Sequence, residues 1–178
     1  MNVRGFGAAA LLVACTVWIA SGTQHEKPLM GPAATLAIRG LEEMTAMSPR
    51  DPEFTRRLAQ MYVDERQPGL ALALVEGASA DVKDDVRVAH VYARALLDSG
   101  RNGDALAAER RVLAGCRSSV DGVFGGVGCD GALVACAVRR ASILQEMIEL
   151  GVNDVQAQPE MSLVAYQNAT RQAHVSVQ

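Results

Sequence analysis

The sequence predicts an all-α protein built from stacked helical hairpins. The main observation is a repeat of 34 residues, in which small and apolar side chains recur at matching positions. Composition agrees, because 49% of the 178 residues are hydrophobic and only 4% are aromatic, which suits helices that pack closely through small side chains. A fixed period of this length is typical of stacked supersecondary units. The recurring pairs are Ala59 and Ala93, Tyr62 and Leu96, Ala71 and Ala105, Leu72 and Leu106, and Ala78 and Val112.

The first 22 residues (1–22) predict an export signal or a membrane anchor. Arg4 supplies a positive charge, the run 6–20 is apolar, and polar residues follow it, which is the order found in secretory signals. Three outcomes stay open. In the first, the segment is cleaved after Gly22. In the second, it is retained as an anchor, and its apolar run is near the lower limit of about 17 residues for spanning a bilayer. In the third, it is lipidated at Cys15, whose surroundings resemble a bacterial lipobox. In each case the protein is expected to be exported, either periplasmic or membrane-anchored and facing the periplasm.

Residues 23–32 predict a short linker, because they contain two prolines and a glycine. After the linker, apolar positions recur at helical spacing and are interrupted by turns, so 33–115 is the predicted repeat region. Asp51 followed by Pro52 predicts an N-cap and the first residue of a helix. The predicted helices are 33–47, one that begins at residue 52, 70–78, 85–98 and 105–114.

The segment 37–114 resembles tetratricopeptide repeats. In that family, small residues at the eighth and twentieth positions of a unit let its two helices approach closely, and a glycine often ends the first helix, as Gly100 does here. Three positions depart from the pattern, namely Thr55, Lys83 and Glu109, the last of which stands where an aromatic or aliphatic residue is usual. The resemblance implies an α-α superhelix, whereas a plain helical bundle is the alternative that the periodicity also allows. The matching small residues are Ala59 and Ala93 at the eighth position, and Ala37, Ala71 and Ala105 at the twentieth.

The resemblance also implies a binding groove on the concave face, lined by the first helix of each hairpin. Arginine and histidine side chains on this face are suited to receive acidic side chains or a C-terminal carboxylate through charge-assisted hydrogen bonds. The alternative is a solvated face on which these cations pair with Asp64 and Asp98, since charged helix faces are commonly solvated. The predicted groove residues are Arg56, Gln60, Arg87, His90 and Arg94.

Residues 116–131 predict a glycine-rich loop bracketed by cysteines. Part of the loop has the glycine spacing of a dinucleotide-binding loop. That motif requires a strand before it and a second strand that ends in an acidic residue, whereas one long helix and no strand pattern follow the loop here. In an oxidising compartment a disulfide is expected, and Cys116–Cys129 is favoured because antiparallel neighbouring helices bring these ends together. Cys116–Cys136 is the alternative pairing. The leftover cysteine is expected to be buried in a helix interface.

The C-terminal part, 132–178, predicts a helical pair. A long helix is ended by Gly151, and a last amphipathic helix covers 159–174. The pair is interpreted as a degenerate third repeat or a cap, because terminal repeats are atypical. Leu144 stands where the resembled family usually has a small residue, which sets this pair apart from the hairpins before it.

The predicted function is that of a non-enzymatic protein–protein interaction or scaffold module in the bacterial cell envelope. The net charge of -3 and the lack of a basic stripe in the sequence argue against nucleic acid as a partner. The histidines are scattered and the sequence has no nucleophile or metal-ligand pattern, so no catalytic site, cofactor or metal is expected. The expected partner is a protein or peptide segment, with membrane contact through the N-terminus if it is uncleaved or lipidated. The alternatives are a structural subunit of a larger envelope complex held by hydrophobic helix faces, and a ligand-binding protein that uses the glycine loop.

Overall fold

The computed structural model describes residues 31–117, 128–155 and 157–175, which form eight helices and contain no strand. The predictions on 1–22, with lipidation of Cys15, on most of the linker, and on 118–127 of the glycine loop concern residues outside these ranges. The helices are α1 Pro32–Met47, α2 Pro52–Asp64, α3 Pro68–Gly77, α4 Ala80–Lys83, α5 Val86–Asp98, α6 Asn102–Arg117, α7 Gly131–Glu149 and α8 Pro159–Val175.

Helices that follow one another in the chain pack against one another, which confirms the predicted all-α architecture. The pairs α1–α2, α2–α3, α5–α6, α6–α7 and α7–α8 are each in contact, and α5 also packs against both α2 and α3. One element was not predicted, the single turn α4, whose Val82 is fully buried. Four residues are too few to display the 3.6-residue periodicity from which the longer helices were predicted.

The two central hairpins repeat in structure as they do in sequence. Helices α2 and α5 are both 13 residues long, and their starts lie 34 positions apart, as do the starts of α3 and α6. Each first helix has an aspartate N-cap. The Asp51 carboxylate accepts the backbone N–H of Glu53 at 2.8 Å, and the Asp85 carboxylate accepts that of Arg87 at 2.9 Å. The predicted N-cap at Asp51 is therefore confirmed, and it recurs one period later.

Three helices, α2, α5 and α7, end in the same hydrogen-bonded turn. In each, the backbone N–H two residues beyond the C-cap donates to a carbonyl five residues earlier, at 2.7 to 2.9 Å, which is the 6→1 bond of the Schellman motif. The residue at the left-handed position is Arg66 with φ 58°, Gly100 with φ 74° and Gly151 with φ 69°. An arginine therefore occupies, in the first hairpin, the position that glycine occupies in the second.

This difference predicts opposite effects of substitution at equivalent positions. Arg66→Gly is expected to raise the free energy of unfolding by about 0.5–1 kcal/mol, because a side chain with a Cβ is strained at positive φ. Gly100→Ala is expected to lower it by about 1–2 kcal/mol, since its Cβ would also lie 3.0 Å from the Asn153 carbonyl oxygen. Urea unfolding of both variants measures the effect. Two midpoints that shift in the same direction would contradict the shared turn geometry.

The core is built from the small residues that carry the repeat. Ala59, Ala71, Ala93 and Ala105 are all fully buried, as expected for helices in close approach. Leu144 of α7 is fully buried among residues of α5 and α6, so a large side chain here fills the space opposite small ones. The predicted role of Ala37 as a small residue in a close helix contact is wrong. In α1, Ala37 is exposed and the neighbouring Ile38 is buried instead.

Candidate functional site

Four of the five predicted groove residues line one cleft of about 470 Å³. Arg56 and Gln60 come from α2, and Arg87 and His90 from α5. The start of α7, together with the residues just before it, forms the opposite wall. We call this site the arginine cleft. It is open to solvent on one side, and its floor includes Val91 and Leu133.

The structure places the fifth residue, Arg94, in a neighbouring cleft of about 790 Å³. Its Nη1 donates to the Asp64 carboxylate at 2.9 Å, across the contact between α2 and α5. Asp98 and Asp154 also line this second cleft. Burial raises the pKa of the Asp98 carboxyl, and Arg94 partly opposes that effect. Arg94 is therefore committed to a carboxylate of its own chain, as the alternative of a solvated, paired face predicts.

Glu53 is the carboxylate that pairs with the arginines at the arginine cleft. Its two carboxylate oxygens accept from Arg56 at 2.8 and 3.0 Å, and one of them also accepts from Arg57 at 2.6 Å. The hydrogen bond from Arg56 is the main reason why the pKa of Glu53 falls to about 2. Two of the guanidinium nitrogens of Arg56 are therefore engaged by a permanently ionised partner, and Arg56 is less available to an incoming carboxylate than its sequence position suggests.

Arg87 is the cation of the cleft whose hydrogen-bonding capacity is least filled. Its Nη atoms lie 3.6 Å from the Glu53 carboxylate and 3.5 Å from the Asp85 carboxylate, distances of an ion pair but too long for good hydrogen bonds. Its Nε is buried and has no hydrogen-bond partner among the described residues. The side chain is 40% exposed, so its outer nitrogens can be reached from the cleft. Arg87 is thus positioned to donate to a further anionic acceptor.

His90 belongs to a largely buried network that joins α5, α6 and α7. Its Nδ1 lies 2.9 Å from the Glu109 carboxylate, which is fully buried, and Arg140 of α7 donates to the other carboxylate oxygen at 2.6 Å. The same guanidinium also donates to the His90 carbonyl at 3.2 Å. This network explains why Glu109 stands where the resembled family has an apolar residue, and it fixes the imidazole at the cleft edge. Arg140 was not predicted from the sequence. The signal that could have indicated it is the acidic Glu109 at a usually apolar position, because a buried carboxylate needs a cation nearby.

The predicted disulfide between Cys116 and Cys129 is present, with a Cα–Cα distance of 5.6 Å. It links the end of α6 to the residue just before the N-cap of α7. The prediction that the leftover cysteine is buried in a helix interface is wrong, because Cys136 is exposed and lines the arginine cleft. Val134 and Ala137 take the buried positions of this turn of α7, which leaves the intervening Cys136 on the cleft side.

Comparisons with protein-family models, curated proteins and solved structures find no match to this chain. Within the described ranges, no helix combines the length and the hydropathy needed to cross a bilayer. Nor do these residues bring together three or more histidine, cysteine, aspartate or glutamate side chains in an arrangement that suits a metal ion. The geometry of the arginine cleft is therefore the feature that indicates a function.

Proposed function

We propose that the protein is a non-enzymatic binding module whose arginine cleft holds a carboxylate of a protein partner. Arg87 carries this proposal, because it is a cation in the lining of the cleft with donors that the described residues do not fill. Carboxylates bind arginine through strong, directional, charge-assisted hydrogen bonds, so either an acidic side chain or a chain terminus suits the site. Gln60 lines the same wall, where its amide nitrogen already donates to the Asp64 carboxylate at 2.9 and 3.0 Å. Val91 and Leu133 offer apolar contact to the residues that neighbour the bound carboxylate.

The finer architecture we propose is a superhelix similar to tetratricopeptide repeats, with the cleft on its concave face. Support comes from the matched lengths, N-caps and C-terminal turns of α2 and α5, and from the buried alanines of the two hairpins. We place the module in the bacterial cell envelope. The signal-like segment 1–22 supports this placement, and so does the disulfide, since disulfides persist in oxidising compartments.

Binding of synthetic peptides to the purified full chain tests the proposal. The probe is a fluorescent octapeptide library rich in aspartate and glutamate, in one set with a free C-terminal carboxylate and in another with an amide. Arg87→Gln is expected to weaken the tightest peptide by about tenfold or more, because it removes charge-assisted hydrogen bonds. Arg57→Gln is the matched control, since Arg57 bonds the same Glu53 but lies outside the cleft lining. Unchanged affinity in Arg87→Gln would overturn the proposed site.

A second candidate function is that of a structural subunit held in a larger envelope complex by hydrophobic helix faces. It is favoured by apolar side chains at both ends of the described fold, where Leu36 and Met47 of α1 are 72% and 77% exposed and Leu163 of α8 is 56% exposed. Capture of a partner by the purified full chain, repeated with a variant of the cleft and a variant of α8, separates the two functions. Under this second function, Arg87→Gln leaves association with a captured partner intact, whereas Leu163→Lys abolishes it.

A further inference from the structure

A smaller pocket lies on the other side of α5 from the arginine cleft. Ala89 and Tyr92 line it, and they lie two positions along the helix from Arg87 and His90, which is a rotation of about 200°. Val75 of α3, buried in the fold, also lines this pocket of about 200 Å³. The two sites are thus formed by opposite faces of one helix and share no lining residue.

Two exposed cations line this pocket, and neither has an ion-pair partner in the part of the chain that the structure describes. Lys83 comes from the end of α4 and Arg111 from α6. Within the described ranges, no salt bridge or hydrogen bond engages either side chain. By contrast, the neighbouring Arg101 is paired with both Asp104 and Glu76. The pocket therefore carries two positive charges that no ion pair of the described residues engages.

The acidic residue that lines the pocket, Glu76, is already engaged. The Tyr92 hydroxyl donates to its carboxylate at 2.9 Å, and Arg101 Nη1 donates to the same oxygen at 3.4 Å. Burial raises the pKa of Tyr92, and the bond to Glu76 adds to that effect, so the hydroxyl remains a donor at neutral pH. One oxygen of Glu76 is thus engaged by Tyr92 and Arg101, and no ion pair of the described residues engages Lys83 or Arg111 beside the apolar floor.

We propose that this pocket binds a small organic anion, a monocarboxylate with a compact apolar body. The carboxylate lies between Lys83 and Arg111, which supply charge-assisted hydrogen bonds. The apolar body lies on Val75 and Ala89, with the Tyr92 ring as a wall. A volume near 200 Å³ holds a ligand of the size of one aromatic ring with its carboxylate, but not a peptide segment. This site is independent of the proposed function of the arginine cleft.

Titration of the isotope-labelled full chain with benzoate, followed by NMR, tests the proposal. Saturable shifts are expected at Val75, Ala89 and Tyr92, with a dissociation constant in the millimolar range that suits so small a ligand. Arg111→Gln and Lys83→Gln are each expected to weaken benzoate by about fivefold. Arg110→Gln is the matched control and keeps wild-type affinity, because Arg110 points toward Gln145 of α7.

Two further ligands make the outcome decisive. Benzyl alcohol has the same ring without the charge, and inorganic phosphate has charge without an apolar body, so both are expected to bind more weakly than benzoate. Binding of benzyl alcohol as tight as that of benzoate would overturn the role of the two cations. Phosphate binding of equal strength would overturn the role of the apolar floor. The absence of saturable shifts, or unchanged affinity in both Arg111→Gln and Lys83→Gln, would overturn the site itself.

Discussion

Replacement of Arg140 by methionine is expected to lower the free energy of unfolding by about 3–5 kcal/mol. Arg140 donates at 2.6 Å to the fully buried Glu109 carboxylate, which has no contact with solvent. Without the guanidinium, Glu109 keeps His90 as a partner but loses its permanent positive counter-charge. A buried charge left without that partner is among the costliest single changes that a fold can suffer.

The double variant Glu109→Leu with Arg140→Met is expected to be more stable than Arg140→Met alone. Removing both charges removes the desolvation cost together with the attraction, and buried ion pairs are often replaced by apolar residues at little net loss. A double-mutant cycle from urea unfolding measures this coupling. Arg139→Met is the control, because Arg139 is exposed and bonds the Tyr166 hydroxyl at the surface, and it is expected to cost less than about 1 kcal/mol. Additive losses in the cycle would contradict a buried network.

Reduction of the Cys116–Cys129 disulfide is expected to lower the free energy of unfolding by about 2–4 kcal/mol. The two cysteines are 13 positions apart, and the bond restricts the unfolded chain over that loop. Urea unfolding with and without reductant measures the effect, and Cys129→Ala should lose its sensitivity to reductant. Cys136→Ala serves as the control, because it keeps the disulfide and therefore the full response. A wild-type midpoint that does not move on reduction would contradict a stabilising role.

The helices were predictable because the signals that define them are local. Apolar spacing, the Asp51 N-cap and Gly100 each act within a few residues, and all three hold in the structure. The exception among the turns is Arg66, where the same left-handed conformation forms without glycine. The backbone hydrogen bonds from Arg66 to Val63 and from Gln67 to Tyr62 close this turn with an arginine at the left-handed position. Residue preference at that position could therefore not reveal it.

The cleft was only partly predictable, because its chemistry depends on contacts between distant residues. The resemblance to tetratricopeptide repeats implied one groove face for Arg56 and Arg87, and both line the cleft. Spacing could not decide which carboxylate each arginine meets. Arg56 donates hydrogen bonds to Glu53 of the same helix, whereas Arg94 donates to Asp64, which is 30 positions earlier in the chain. The exposure of Cys136 likewise depends on how α7 rotates against its neighbours, which a single helical pattern does not specify.

The exposed thiol of Cys136 allows the most direct test of the arginine cleft as a binding site. It lies in the cleft lining, so a bound ligand should shield it from alkylation. The measurement is the rate at which N-ethylmaleimide modifies Cys136, followed by mass spectrometry, with and without a saturating acidic peptide. Binding in the cleft predicts slower modification in the wild-type chain and an unchanged rate in Arg87→Gln at the same peptide concentration. An unchanged rate in the wild-type chain, with the peptide demonstrably bound, would contradict the cleft as the site of partner recognition.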